Sequence, residues 1–336
     1  MNEALESLVK SGFRPANLPP KTQREVERHQ AHVEAVLSVS APRVKEESIA
    51  REAERRALDA LWRTELVTGS ELVLTDQMRR LWAEYGLPSP FVRNLLWPLL
   101  SPTSPRDPSA VTGDQCVRLI TLDVQRTLPF LGITNEPEKS QKCEAVLNRF
   151  CGSEYVQGMS YVAVRLMVEL SFDEAKTYSC LDRLLRQSPT IACMYRLDLT
   201  EIENSVEFVL DSVAWANVPA LWLLLKKLQF QSIQWFFLDW GLTVFVKSFS
   251  LKISGFVLDM IFLNGDVALY QAAVAVLLLI QDELVRNSGD TESARQTIAK
   301  AGDLIDYDSF VKSFHEVIVP PAVVSVLNSV SLFSSS

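Results

Sequence analysis

Two short frames in this chain hold residue types that could act together on a phosphate. The first reads Ile120-Thr121-Leu122-Asp123-Val124-Gln125-Arg126-Thr127 and the second Tyr155-Val156-Gln157-Gly158-Met159. An arginine offers a planar, permanently charged guanidinium that can satisfy two phosphoryl oxygens at once. A glutamine offers a carboxamide that accepts a hydrogen bond from water while donating one to a phosphate, which a carboxylate cannot do. Asp123 lies within one helical turn of Arg126, so it can hold the guanidinium ready at the ~0.2–1 kcal/mol typical of an exposed pair. Gly158 has no side chain, so another surface can approach the Gln157 backbone closely.

The neighbouring apolar residues say how these groups are positioned. Val117, Ile120 and Val124 recur at helical spacing and predict a helix with one buried face. Arg126 falls off that face, and Pro129 should end the helix close by, which places Arg126 at a helix-to-loop junction. Met159, Val162, Ala163, Leu166, Met167 and Leu170 keep the i, i+3, i+4, i+7 rhythm and predict a buried helix starting just after Gln157. Gln157 then crowns an N-terminus, where the positive end of the helix dipole and free backbone N–H groups favour a phosphate-bearing ligand.

The whole chain sets wider bounds. Its 336 residues and 48% hydrophobic content suffice for a large core, so disorder throughout is excluded, and the length suggests two domains or one large one with an extension. A net charge of −8 without a basic stripe argues against nucleic acid as a partner. Five cysteines without a CxxC pair suggest neither a disulfide framework nor a zinc site, and a reducing, intracellular setting fits. The N-terminus carries acidic residues where a secretory signal has basic ones. The longest apolar run, around Val267 to Ile280, falls short of the ~20 residues that span a bilayer, so a soluble protein is expected.

Along the chain, helix follows helix. Residues up to about Pro20 read as irregular, Thr22 with Glu25 makes a capping box, and a second helix after Pro42 sets Ile49, Ala53, Ala57, Ala60 and Leu61 on one side. These read as a helical hairpin, with a partner-binding coiled segment as the alternative. His29 and His32 stand a turn apart, but nothing nearby completes a metal site. A helix from Asp76 should stop at Gly86. Arg93 and Trp97 are a turn apart and read as a packing pair at a helix end, followed by a proline-studded loop over 98–108. Asn135 and Pro137 open a helix whose buried stripe is Cys143, Val146, Leu147 and Phe150. Ser171 with Glu174 and Thr200 with Glu203 form further capping boxes.

The stretch from Trp215 to Ile280 is the most apolar and reads as deep core. Its aromatic cluster Trp235, Phe236, Phe237, Trp240 and Phe245 could suggest a stacking platform for bases, but core packing fits better without interleaved basic residues. Leu242 to Val246 is the one ambiguous strand-like piece. The consistent reading is all-α.

No P-loop and no glycine-rich dinucleotide fingerprint occurs, and His315 alone cannot build a triad. What the motifs do match is an order. Gly86-x-Pro88, Arg93-x-x-x-Trp97, Ile120-x-x-Asp123-x-x-Arg126-Thr127 and Tyr155-x-Gln157-Gly158-Met159 resemble the TBC domain family of Rab GTPase-activating proteins. So do Asp239-Trp240-Gly241-Leu242-Thr243-Val244-Phe245, Asp259 and Gly265-Asp266 further on. Leu258 stands where that family usually has tryptophan, and Glu154 where it has glycine.

The resemblance covers about residues 76–315 and implies an all-α, multi-helix TBC (Rab-GAP) domain there, whereas the helical extension over 1–75 and the C-terminal segment over 316–336 match nothing in that family. It also implies that Arg126 serves as an arginine finger and Gln157 as a glutamine finger, supported by Asp123, Thr127, Tyr155, Gly158, Arg93 and Trp97. The partner would be a Rab-family small GTPase in its GTP form. No cofactor or metal of the chain's own is expected, since GTP and magnesium belong to the partner. Location would be cytoplasmic, with peripheral contact to endomembranes through the GTPase. The alternative is a non-catalytic Rab-binding adaptor that uses the same surface, and a second rival is a helical scaffold working through its N-terminal hairpin.

Overall fold

The computed structural model describes residues 53, 56–64, 74–100, 113–151, 155–197, 200, 202–203, 206–227, 233–286 and 291–333. The chain forms two compact units, Met1–Thr68 and Gly69–Ser336. In the first, residues 56–64 are helical. The alanine face expected to be buried there is exposed at Ala57, Ala60 and Leu61, and Trp62 is buried instead. The methyl groups of the two alanines offer too little area to compete with an indole, and Leu61, next to Trp62 in the helix, turns outward with them. His29, His32 and the Thr22 capping box lie outside the described residues.

Every regular element described in the second unit is helical. They are α1 (Asp76–Tyr85), α2 (Pro90–Leu99), α3 (Asp114–Phe130), α4 (Pro137–Cys151), α5 (Met159–Glu169), α6 (Glu174–Gln187) and α7 (Pro189–Arg196). A π-helical turn (Val206–Leu210) then leads into α8 (Asp211–Asn217), α9 (Pro219–Lys227), α10 (Ile233–Leu242), α11 (Leu251–Asn264) and α12 (Asp266–Arg286). The chain closes with α13 (Thr291–Ala299), α14 (Ala301–Leu304), α15 (Tyr307–Glu316) and α16 (Pro321–Phe333).

Local chemistry explains several boundaries. Thr75 caps α1 by accepting from the Met78 N–H, and α1 stops at Gly86, whose φ of 72° an L-residue resists. Pro137 opens α4, whose expected stripe of Cys143, Val146, Leu147 and Phe150 is buried. Ser171 does not cap α6, because Ser171 and Phe172 both take left-handed φ and the cap passes to Asp173, which accepts from the Lys176 N–H. The Thr200 box is only partly within the described residues. Pro98 lies inside α2 and Pro129 inside α3 rather than beyond their ends. A proline near a C-terminus removes one N–H and frees one carbonyl, which a last turn facing solvent can leave to water.

α12 is the axle of the C-terminal half, packing against α8 to α11 and α13 to α16. At 21 residues it is long and apolar enough to cross a membrane, longer than the apolar run alone suggested, yet 61% of its most apolar window is buried inside the protein. It serves as a core helix. In the N-terminal half α3, α4, α5 and α6 pack in sequence, α2 lies on α5 and α6, and the α6–α11, α7–α10 and α1–α11 contacts join the halves.

Of the aromatic cluster expected as core, four members are core, and the Trp235 side chain lies outside the described residues. Phe236, Phe237, Trp240 and Phe245 are buried, with Phe237 stacked on Tyr270 at 5.0 Å between ring centroids. Leu242 to Val246 is not a strand. It is a turn in which the buried Val244 and Phe245 hold φ of 45° and 64°. His315 ties α15 to α1, its ring Nε2 lying 2.9 Å from the Glu84 carbonyl oxygen.

Candidate functional site

Arg126 stands on the outward face of α3, opposite the buried Ile120, Val124, Thr127 and Leu128, and its side chain is 72% exposed. Helix α3 continues one turn beyond it, since the Leu131 N–H still reaches the Thr127 carbonyl at 3.0 Å. Arg126 is therefore held by a formed helix and not by a junction. Val117, expected in the buried face, is exposed near the start of α3. The helix is fastened to α4 through Glu144, which accepts from Thr121 and from Ser140, each at 2.8 Å.

Gln157 is exposed in the turn just before α5, and Gly158 is the N-cap residue with φ 114° and ψ −29°. No side chain caps this N-terminus, but the Met159 N–H is taken by the Val156 carbonyl at 3.2 Å and the Tyr161 N–H by the Gly158 carbonyl at 3.1 Å, and Gly158, Met159 and Ser160 are buried. The row of free N–H groups expected at this helix start is therefore partly used up by the turn itself. Gly158 is buried against the turn after α10. A Cβ built on it would sit 3.5 Å from both Leu242 Cβ and Thr243 Cγ2. That turn is held by the Tyr195 hydroxyl, which donates to the Leu242 carbonyl at 3.1 Å.

Two cross-links stitch the frames together. The Tyr155 hydroxyl donates to Asp123 Oδ2 at 2.8 Å, and the Thr127 and Ser160 hydroxyls share a hydrogen bond at 3.0 Å. Thr127 also donates to the Asp123 carbonyl at 2.7 Å, which fixes its rotamer. Burial and the Asp123 charge push the Tyr155 pKa up, so its phenol stays protonated and keeps donating. The Asp123–Arg126 contact is looser, 4.0 Å between Oδ1 and Nη1. Asp123 is thus first the acceptor for Tyr155 and only then a partner for Arg126. The result is a rigid seam between α3 and the start of α5, with one exposed guanidinium and one exposed carboxamide on the two frames it joins.

Arg93 and Trp97 are not at that seam. They belong to a buried charge cluster that the pairing expectation missed. Arg93 donates through Nε to Asp259 Oδ1 at 3.0 Å and through Nη2 to Oδ2 at 2.8 Å. The Trp97 indole donates to Asp259 at 3.1 Å, and the Leu87 N–H donates to it at 3.0 Å. Burial alone would lower the Arg93 pKa, but the Asp259 charge and hydrogen bonds, with Glu169, raise it, so the guanidinium stays charged. Arg93 also lies 3.5 Å from Glu169, which pairs with Arg165 on α5. Gly255 makes room for both cations, since a Cβ there would meet Arg165 Nη2 at 2.9 Å and Arg93 Nη2 at 3.2 Å. The cluster therefore anchors the far end of the helix whose N-terminus follows Gln157. A carboxylate 166 positions from its arginine leaves no local signal to find it.

Residues 92–285 match the model of the Rab-GTPase-TBC domain family, and the chain belongs to that family. Among curated relatives, TBC1 domain family member 12 of Xenopus tropicalis is 25% identical over 336 aligned residues, covering 81% of this chain and 46% of the relative. TBC1 domain family member 14 of Homo sapiens is 25% identical, covering 81% of this chain and 45% of the relative. Drainin of Dictyostelium discoideum is 24% identical over 177 residues, covering 51% of this chain and 39% of its own. The chain spans about half the length of the first two or less. The crystal structure of the Chlamydomonas flagellar RabGAP TBC domain superposes with a TM-score of 0.60 at 19% identity, covering 79% of this chain and 94% of that one. The all-α TBC fold expected from the motifs is the fold observed.

Proposed function

We propose that this chain is a GTPase-activating protein for a Rab-family small GTPase, and that it lends Arg126 and Gln157 to the partner's active site. The observation that carries this reading is the seam: two side chains of the needed types, both exposed, on frames joined by Tyr155–Asp123 and Thr127–Ser160. Membership of the Rab-GTPase-TBC family supports the choice of partner.

The chemistry follows from charge. As the γ-phosphoryl group departs, negative charge grows on its oxygens, and the Arg126 guanidinium neutralises it without having to give up a strong prior partner, because its Asp123 contact is long. An arginine in this role contributes ~10³ to 10⁵ in rate, or about 4 to 7 kcal/mol of barrier. The Gln157 carboxamide orients the attacking water. Asp123, Thr127, Tyr155 and Gly158 position the two fingers, and the Arg93–Trp97–Asp259 cluster holds α5 from behind. GTP and its magnesium are the partner's, so the chain completes an active site without owning one. Its place would be the cytoplasm, meeting endomembranes through the GTPase.

The test is single-turnover hydrolysis by a panel of GTP-loaded Rab proteins with the full chain, Arg126→Ala and Gln157→Ala. At least one Rab should be accelerated by the parent and lose ~10³-fold or more of that with Arg126→Ala. Equal rates with parent and variants would refute the reading, and a Rab that bound tightly in its GTP form yet hydrolysed no faster would favour the adaptor.

A further inference from the structure

On α3, Leu122 stands one turn before Arg126 and Phe130 one turn after it, and both are exposed, 47% and 54% respectively. They share the outward face with Arg126, because residues four apart on a helix lie about 5–6 Å apart at Cβ. Phe130 does not hang free. Its ring packs edge-on against Tyr161 of α5 with centroids 5.3 Å apart, so the apolar surface crosses the same α3–α5 seam that carries the fingers. Single exposed apolar side chains are ordinary on a protein surface, but these two flank the guanidinium on one helix face, where a partner reaching Arg126 has to press.

We propose that Leu122 and Phe130, with the Tyr161 edge, form an apolar lip that seats the GTPase around Arg126, setting affinity while Arg126 and Gln157 set rate. This rests on the finger reading, and its occupant is the same GTPase, specifically the protein wall beside its bound triphosphate. Geometry supplies the argument. A specific protein interface covers about 800 Å² on each side, equivalent to a disc of about 16 Å radius. Any partner whose phosphate meets the Arg126 guanidinium therefore covers residues one turn to either side of it. Apolar neighbours there exclude water as the partner seats, and the dry surround strengthens the guanidinium–phosphate attraction. The partner surface that fits is apolar next to the nucleotide, and a polar or charged residue there would be rejected.

The experiment uses the full chain and the Rab that it accelerates most. Single-turnover rates are measured against increasing concentrations of the parent, Leu122→Ser, Phe130→Ser, the double variant, Phe130→Leu and Arg126→Ala, with thermal midpoints as a check on folding. The lip predicts a half-saturating concentration raised roughly tenfold or more by each serine variant. The saturated rate should stay within about threefold of the parent, and Phe130→Leu should restore most of the loss. Arg126→Ala should do the reverse, lowering the saturated rate. If Arg126→Ala loses rate but the double variant leaves half-saturation unchanged, or lowers the saturated rate instead, the lip is wrong and the fingers stand. If Arg126→Ala changes nothing, the finger reading fails and takes the lip with it.

Discussion

Gly158→Ala isolates what the backbone contributes to placing Gln157. The glycine sits at φ 114° and ψ −29°, outside the small left-handed region near +50° to +70° that L-residues reach. Space is not the obstacle, because the nearest atoms to the added methyl, Leu242 Cβ and Thr243 Cγ2, are at 3.5 Å, ordinary contact distance. The cost is therefore conformational, about 1–3 kcal/mol for a residue held in such a region. The chain can respond in two ways. If the turn keeps its shape, the strain appears as lost stability, and at roughly 2–4 °C per kcal/mol for a unit of this size the thermal midpoint falls by about 2–12 °C. If the turn relaxes, Tyr155 and Ser160 on either side stay tethered to α3, so the displacement is taken up at Gln157 and the saturated rate of GTP hydrolysis falls. Calorimetry and single-turnover kinetics on the same preparation separate the two. A variant with midpoint within about 1 °C of the parent and an unchanged saturated rate would show that the glycine is not needed and refute the reasoning.

Other perturbations probe the supports. Asp259→Asn removes the main carboxylate facing Arg93 and leaves two buried arginines, Arg93 and Arg165, sharing Glu169 alone, so denaturant unfolding should show a loss of about 3–5 kcal/mol; a loss below about 1 kcal/mol would mean the cluster is not what holds α2, α5 and α11 together. Burial pushes the Asp266 carboxyl up to about 6 from 3.8, against hydrogen bonds from Ser188 and Thr190. Between those values the folded state binds more protons than the unfolded one, so this group's contribution falls as pH rises through the window, by about 3 kcal/mol at most. Stability measured from pH 4 to 7 should therefore decline more steeply, or rise less, for the parent than for Asp266→Asn, and parallel curves would contradict the assignment. Tyr155→Phe removes one donor from Asp123 and should lower stability by about 1.5–3 kcal/mol, the scale of a hydrogen bond to a charged group; an unchanged unfolding free energy would show that the seam does not depend on it.

Much of the site was legible because it is local. The outward placement of Arg126 and the start of the helix after Gln157 follow from apolar spacing within a few turns, and periodicity reports such spacing directly. What escaped is of three kinds. The Arg93–Asp259 and Tyr155–Asp123 bonds join residues far apart in the chain, and no spacing rule sees them. Pro98 and Pro129 have the sequence character of helix breakers, yet each sits in a last turn where one lost N–H costs little. The turn at Leu242 to Val246 carries β-branched and aromatic residues that favour strands, but tertiary packing overrode the preference and put Val244 and Phe245 in the left-handed region. That turn backs Gly158, so the local rule fails beside the proposed site, as strained positions often do.

If Arg126 and Gln157 act as proposed, they recognise the transition state of GTP hydrolysis on a bound Rab. That recognition is measured most directly by the dissociation constant of the full chain for its preferred Rab loaded with GDP and fluoroaluminate, a mimic of the departing phosphoryl group, compared with the same Rab loaded with a non-hydrolysable GTP analogue. Binding should be tighter by ~10² or more for the mimic, with that gain abolished by Arg126→Ala and by Gln157→Ala. Equal affinity for the two loaded forms, or a gain that survives both substitutions, would contradict it.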